Sequence, residues 1–425
     1  MLIIRSKYLA DGASRVSEGV EVVIEGKYVL AIRPQGSASA SPDSTVIDLG
    51  FAVLMPGLVN AHTHLELTLA QTDVKPKRRF TDWIREIVRV TSAWGEDEFN
   101  SSVEAGLRLI GESGTTALGD ISRNARAMRK YVKSGIRARI FYEVIDFNPR
   151  TAGKTFDALL ARIDKHPRND NVLIGIAPHT PYTVSTDVLK QCIKLAHEND
   201  WRLCIHLAET EAEIEFLKQG TGEIREFREE FGIPRGWRPP EMSSVRYLER
   251  LGFFDQPCTL IHCNYVSEDD FCIIEQSASS VVFCPRSHSY FGHGNHPFLR
   301  MLDCGINVAL GTDSLASSPT LSILDEMKFL HGEHTEVPLQ TILRMATQNG
   351  LEALGLAGNA GALSNGSFAD LVAVAVLSDE SDGEDVLKLV FAEQSEVVFS
   401  LAEGTVLYDA HDADSRESID RAQRH

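Results

Sequence analysis

No Cys-x-x-Cys pair occurs in the chain. Its seven cysteines (192, 204, 258, 263, 272, 284 and 304) are odd in number, scattered, and set mostly inside apolar segments. That pattern argues against a disulfide framework or a thiolate zinc site and for buried reduced thiols. No stretch reaches the roughly 18 to 20 apolar residues of a membrane helix. The opening Met1-Leu2-Ile3-Ile4-Arg5-Ser6-Lys7 holds too short an apolar run for a secretory signal, so the expectation is a cytoplasmic protein without a membrane partner. Positive charge is scarce: 42 Lys and Arg stand against 60 Asp and Glu, for a net charge of −18. A polyanion is therefore a poor partner, and nucleic acid is not expected. No glycine-rich phosphate loop opens any of the helical patterns, which disfavours a doubly wound nucleotide-binding sheet.

What remains is an ordinary globular composition, 43% hydrophobic and 24% charged over 425 residues, enough for one barrel-sized domain and a smaller one. Short strand patterns cluster at both ends: Leu2-Ile3-Ile4, 20–24 and 28–32 near the start, then 368–374, 397–401 and 405–408. Between them, apolar runs alternate with amphipathic helical patterns. Counting the strand before His62, the runs at 116–120, 138–143, 172–176, 202–206, 259–262, 281–283 and 308–311 make eight. Eight βα units are the signature of an α/β TIM (β/α)8 barrel. The expected division is a first part of a small β domain at 1–56, the barrel at 57–360, the second part of the small domain at 361–410, and a frayed tail at 411–425. Residues 219–247, with Phe227, Phe231, Trp237, Pro239 and Pro240, are too long for a simple connection. They read either as a lid or substrate-contacting loop, or as a solvated helical hairpin packed on the barrel.

In such a barrel the chemistry sits at the C-terminal strand ends. Several runs end in, or lead directly into, a reactive side chain: His62 and His64, Glu143, His179, His206, His262 and Asp313. His62 and His64, in Pro56-Gly57-Leu58-Val59-Asn60-Ala61-His62-Thr63-His64-Leu65-Glu66, share one face of an extended strand and can converge on a metal ion. The Pro56-Gly57 turn places the pair where a buried strand begins. His206 adds a third imidazole, and Glu209 is spaced as a carboxylate that shuttles a water proton without binding metal. Asp313 reads as a ligand, a proton acceptor, or the N-cap of the next helix, although Ser314 or Ser317 could fill that cap. His262 stands either beside the reacting water or as a satisfied core histidine. His179, in the stiff Ala177-Pro178-His179-Thr180-Pro181-Tyr182, suits substrate better than metal. His293 and His296 read as a second metal site or, more simply, as part of a surface loop.

Taken together, Pro56 to His64, His206-Leu207-Ala208-Glu209, His262-Cys263 and Gly311-Thr312-Asp313 resemble the amidohydrolase superfamily, in its mononuclear deaminase and chlorohydrolase branch. The similarity extends over Ala346-Thr347-Gln348-Asn349-Gly350, Ala353-Leu354-Gly355 and Gly366-Ser367-Phe368-Ala369-Asp370-Leu371, and so covers most of the chain. The resemblance implies a β-sandwich built from both chain ends. It implies one divalent metal, zinc or iron, held by His62, His64, His206 and Asp313. Glu209 would be the proton shuttle, with His262 and Asp313 handling the attacking water. Binuclear members use a carboxylated lysine, and no lysine stands at an inner strand end here.

The implied reaction is hydrolytic deamination of an aromatic ring in a small aminopurine-like substrate. His179-Thr180-Pro181-Tyr182-Thr183 resembles a segment of adenosine-type deaminases whose histidine contacts ribose, with Ser317 fitting the partner of that histidine. The loop Arg286-Ser287-His288-Ser289-Tyr290-Phe291 and the segment Trp237-Arg238-Pro239-Pro240 most resemble the aminodeoxyfutalosine deaminase subgroup. That resemblance makes Arg286 a carboxylate partner, with Glu143 and Trp237 as further substrate contacts. A guanine deaminase, triazine chlorohydrolase or cyclic amide hydrolase would keep every metal residue, and a non-enzymatic scaffold would lose some of them. A homo-oligomer is left open.

Overall fold

The apolar runs become strands of two separate sheets in the computed structural model, which describes all residues except 14, 38–43, 125–126, 147, 149, 168, 235, 378–385 and 412–425. Five strands open the chain: β1 (Leu2–Ala10), β2 (Val16–Glu25), β3 (Tyr28–Pro34), β4 (Thr45–Asp48) and β5 (Ala52–Pro56). The next eight are β6 (Leu58–Thr63), β7 (Thr115–Ser122), β8 (Arg137–Val144), β9 (Val172–Pro178), β10 (Arg202–Leu207), β11 (Thr259–His262), β12 (Ser280–Phe283) and β13 (Asn307–Leu310). Three more follow near the end: β14 (Leu371–Ala375), β15 (Glu396–Ala402) and β16 (Thr405–Asp409).

Strands β6 to β13 pair in sequence order, all parallel, and form the TIM barrel. Every residue of β6, β7 and β8 is buried, as expected of parallel strands covered on both faces. The ring closes through a single bridge between Thr63 and Asp313, where the N–H groups of Thr312 and Asp313 donate to the His62 carbonyl at 3.2 and 3.1 Å. Inside the barrel, Val59, Ala61, Ala117, Phe141, Cys204 and Ile261 pack on Leu351 and Leu354. The latter two come from the helix Gln348–Ala353 and the residue after it, which plug the N-terminal mouth. Arg139, at the start of β8, donates to the carbonyls of Leu354 and Gly355, and Arg202, at the start of β10, to those of Glu352 and Ala353. Cations at a helix C-terminus complement its dipole. The closed bottom leaves the opposite mouth for chemistry.

The strands from both chain ends form one mixed sheet in the order β16-β15-β14-β5-β1-β2-β3, with β4 added alongside β1. Its own core includes Ile4, Val22, Ile24, Leu54, Leu371 and Phe399. The Pro56-Gly57 turn carries the chain from this sheet into the barrel: β5 pairs with β14, and the next residue after Gly57 begins β6. His62 therefore lies near the end of a six-residue strand, not at its beginning, because the apolar run before Pro56 belongs to the other sheet. Five cysteines are buried, whereas Cys272 and Cys304 are exposed. Among the described residues no helix is long and apolar enough to cross a membrane. The expected tail at 411–425 falls, but for His411, outside the described residues.

Candidate active site

Four strand ends, those of β6, β10, β11 and β13, bring the reactive side chains to one mouth. The ligand nitrogens of His62, His64 and His206 lie within 4.8 Å of one another. His64 Nε2 is 3.3 Å from His206 Nε2, and Asp313 Oδ1 is 3.5 Å from His62 Nε2 and 3.6 Å from His64 Nε2. His262 flanks this group, its ring stacked on that of His206 at 5.6 Å. Its Nε2 is 3.5 Å from Glu209 Oε1. Asp313 caps no helix: the next one, Ile323–Glu333, is capped by the Ser322 side chain.

The donor set fits a divalent cation. His62 is 1% exposed, and neither of its ring nitrogens has a hydrogen-bond partner, which is costly for buried polar atoms unless something binds them. His206 Nδ1 lies 3.0 Å from the His179 carbonyl and donates to it, leaving the Nε2 lone pair for the cluster. Burial, helped by the charge of His62, holds His64 down at about 4, and burial takes His206 and His262 well below the usual imidazole range. For Asp313 burial acts upward, but the close approach and charge of His62 and the charges of His64 and His262 hold the carboxyl well below its ordinary value. Neutral imidazoles beside an ionised carboxylate are the state a metal requires. None of the eight barrel strands contains a lysine, so they offer no carboxylated lysine to bridge a second metal.

Glu209 has the opposite character. It is 7% exposed, and burial first, then the charge of Asp313, pushes its carboxyl well above the usual range. Burial thus favours its protonated form, next to the cluster but outside it.

The structure supplies supports that sequence reasoning did not single out. Asp313 Oδ2 accepts from Ser287 at 2.8 Å and Ser317 at 2.7 Å. Asp120 holds both neighbours of His64, its Oδ1 accepting from Thr63 Oγ1 and the Leu65 N–H at 2.8 Å each, while Tyr131 donates to Oδ2 at 2.6 Å. Asn60 binds Thr312 through both ends of its amide. Glu66 accepts from Ser122 and Asn124. Of these, Asp120 was visible as a carboxylate ending an apolar run. Ala208, His262, Cys263 and Asp313 all take left-handed backbone angles, with φ of 48°, 68°, 55° and 59°. Such strain in non-glycine residues concentrates where a site demands it.

The substrate residues read from the sequence divide. His179 and Glu143 come together, His179 Nε2 lying 4.0 Å from Glu143 Oε1, with His179 Nδ1 on Thr183 Oγ1 at 2.9 Å. Burial lowers His179 to about 3. Ser317, read as the partner of His179, instead donates to Asp313, one helical turn back in the chain. Arg286, read as a carboxylate partner, is engaged by Thr320 at 3.1 Å and Asp325 at 3.4 Å. Trp237 lies flat on Phe216, ring centroids 4.7 Å apart, in a cluster with Tyr182, Leu217 and Ile224. The long segment around it contains the helix Gly222–Phe231, tied to the helix Phe80–Thr91 by ion pairs of Arg79 with Glu223 and Glu226 and of Arg85 with Glu230. The segment thus contains a helix packed against its neighbour. His293 and His296 do not converge: His293 Nδ1 binds the Tyr265 hydroxyl and His296 Nε2 the His262 carbonyl.

Residues 53–408 match the amidohydrolase family. The chain is 30% identical over 382 residues to a 5-methylthioadenosine/S-adenosylhomocysteine deaminase of Desulforamulus reducens, covering 85% of this chain and 82% of that one. It is 30% identical over 394 residues to a 5'-deoxyadenosine deaminase of Methanosarcina mazei, covering 88% and 84%. Among solved structures, an adenosine deaminase from Xanthomonas campestris with bound zinc superposes with a TM-score of 0.83 at 23% identity, over 100% of this chain and 99% of that one. That last likeness speaks to the fold alone.

Proposed function

The chain belongs to the amidohydrolase family and is a hydrolase of carbon–nitrogen bonds in cyclic amidines, and from that premise we propose that it deaminates a 6-aminopurine nucleoside to the 6-oxo product and ammonia. The observation that carries this reading is Glu209: a buried carboxyl 3.5 Å from His262 Nε2 that lies beside, but not among, the cluster of His62, His64 and His206 with Asp313. Two relatives at 30% identity, named for 5'-modified adenosines, support the nucleoside class.

His62, His64, His206 and Asp313 would hold one divalent metal, zinc or iron. When bound, such an ion lowers the pKa of a coordinated water toward neutrality. Glu209 gives its proton to a ring nitrogen, which makes the amino-bearing carbon electrophilic, and then relays the proton of the attacking water. Its Oε1 faces His262 Nε2, so the imidazole orients that carboxyl and passes the remaining hydroxyl proton of the adduct to the amino group, which leaves as ammonia. Asp313 stays ionised, with Oδ2 held by two serines and Oδ1 turned to the imidazoles. His179 and Glu143, adjacent at the next strand ends, are placed to accept the sugar hydroxyls. For a carboxyaryl substrate such as aminodeoxyfutalosine, Arg286 would offer the guanidinium N–H groups other than Nη1, which holds Thr320 and Asp325.

Ammonia release from metal-loaded protein, measured across adenosine, 5'-deoxyadenosine, 5'-methylthioadenosine, S-adenosylhomocysteine, aminodeoxyfutalosine, guanine and an aminotriazine, tests the reading. Turnover of guanine or triazine without any adenosine compound would overturn the substrate class. Glu209→Gln should keep its metal and lose about 10²–10⁴-fold in kcat, the usual worth of a positioned acid–base group; full activity in that variant would remove Glu209 from the mechanism.

A further inference from the structure

Thr210 and Glu213 form the pattern of a capping box, in which the glutamate normally reaches back to the backbone N–H of the capping residue. Thr210 plays its part, accepting from the Glu213 N–H at 3.2 Å. Glu213 does not. Its carboxylate reaches further, taking the Ala208 N–H on Oε1 at 2.8 Å and the Glu209 N–H on Oε2 at 3.2 Å. Ser244 Oγ also donates to Oε1, at 2.6 Å. The side chain is wholly buried, and three donors face it. Consecutive N–H groups next to a left-handed residue form a concavity suited to an anion, and Ala208 supplies that backbone angle. The other side of the same segment is also tied. The Ala208 carbonyl accepts from the Tyr265 N–H at 3.0 Å, and the Glu209 carbonyl accepts from Asn264 Nδ2 at 2.9 Å. All four backbone polar groups of residues 208 and 209 are thus fixed from outside their own strand.

We propose that Glu213 and Asn264 are positioning residues for Glu209, clamping its backbone from opposite sides so that its carboxyl meets His262 and the substrate. The inference rests on Glu209 being the proton shuttle. A purely structural Glu213 would instead serve to tie the helix Ser244–Arg250 to the barrel through Ser244.

The two roles separate experimentally. In Glu213→Gln one oxygen can keep Ala208 and Ser244, while the amide nitrogen opposes the Glu209 N–H. The expected result is kcat down about 10-fold, the loss of one buried hydrogen bond, with KM and metal content unchanged. Asn264→Asp, which sets an oxygen against the Glu209 carbonyl, should give the same split. Ser244→Ala leaves both N–H bonds and should change kcat by no more than about threefold. In a Glu209→Gln background, Glu213→Gln should cost nothing further. A matching loss in Ser244→Ala, a rise in KM equal to the fall in kcat, or full additivity with Glu209→Gln would overturn the proposal. Hydrogen exchange of the Ala208 and Glu209 amides, read without substrate, should quicken at least about tenfold in Glu213→Gln. Unchanged exchange would overturn the clamp even if the wild-type protein released no ammonia, a result that would count separately against the deaminase reading.

Discussion

Asp313 offers a test of how a metal site depends on groups that never touch the metal. Its Oδ1 faces the imidazoles, and its Oδ2 is held only by Ser287 and Ser317 among the hydrogen bonds described above. Both serines are 1% exposed, so a water cannot easily take the place of a deleted hydroxyl. Each hydrogen bond to an ionised group is worth about 1.5–3 kcal/mol, and losing such a support typically costs about 10–100-fold in metal affinity. The two scales agree, since a factor of ten is about 1.4 kcal/mol. Ser287→Ala and Ser317→Ala should therefore each weaken metal binding about tenfold. The double variant should lose more than the product of the two, because the first deletion leaves Oδ2 one donor and the second leaves it none. Competition with a chromophoric chelator measures these affinities, with melting of the metal-free proteins as the control for folding. Wild-type affinity in a folded double variant would refute the reasoning.

Two further outcomes follow from the same structure. Glu326 is wholly buried, accepting from the Arg286 N–H and Ser318, and burial raises its carboxyl to about 8. A folded-state value above the unfolded 4.5 means that the native form binds the proton more tightly, so its contribution is complete below about 4.5 and is lost as pH rises through 8. Melting at fixed metal loading should show Glu326→Gln gaining on the wild type between pH 5 and 9, by up to about 4 kcal/mol; parallel profiles would contradict this. Gly311→Ala would put a Cβ 2.9 Å from His62 Cβ and from Val282 Cγ1. Overpacking of this kind costs about 1–3 kcal/mol, so both melting temperature and metal affinity should fall, and no change in either would show that the seam between first and last strands yields freely.

The barrel was legible because parallel strands buried on both faces leave near-continuous apolar runs, and all eight runs became strands. Strand β4 was not, since Thr45–Asp48 is only four residues long, is largely exposed and adds to the sheet through its pairing with β1. The site residues that end strands could be read one by one. Their partners could not, when those partners come from distant segments: Ser287 reaches Asp313 across 26 residues, and Asp325 claims Arg286 across 39. Ser317 shows the intermediate case. Its spacing from Asp313 is that of one turn, yet the resemblance directed it to His179. Trp237 was visible as an aromatic in an overlong connection, but only the fold shows Phe216 lying beneath it.

The seam where Thr312 and Asp313 donate to the His62 carbonyl joins segments that the paired contacts place 252 residues apart. Closing so long a loop costs entropy that grows only slowly with length, and it is this closure that sets Asp313 beside the imidazoles. A metal held by all four side chains would span this seam. Any motion that parts the two strands must pull Asp313 from the imidazoles, so the lifetime of such a metal would also time the opening of the barrel.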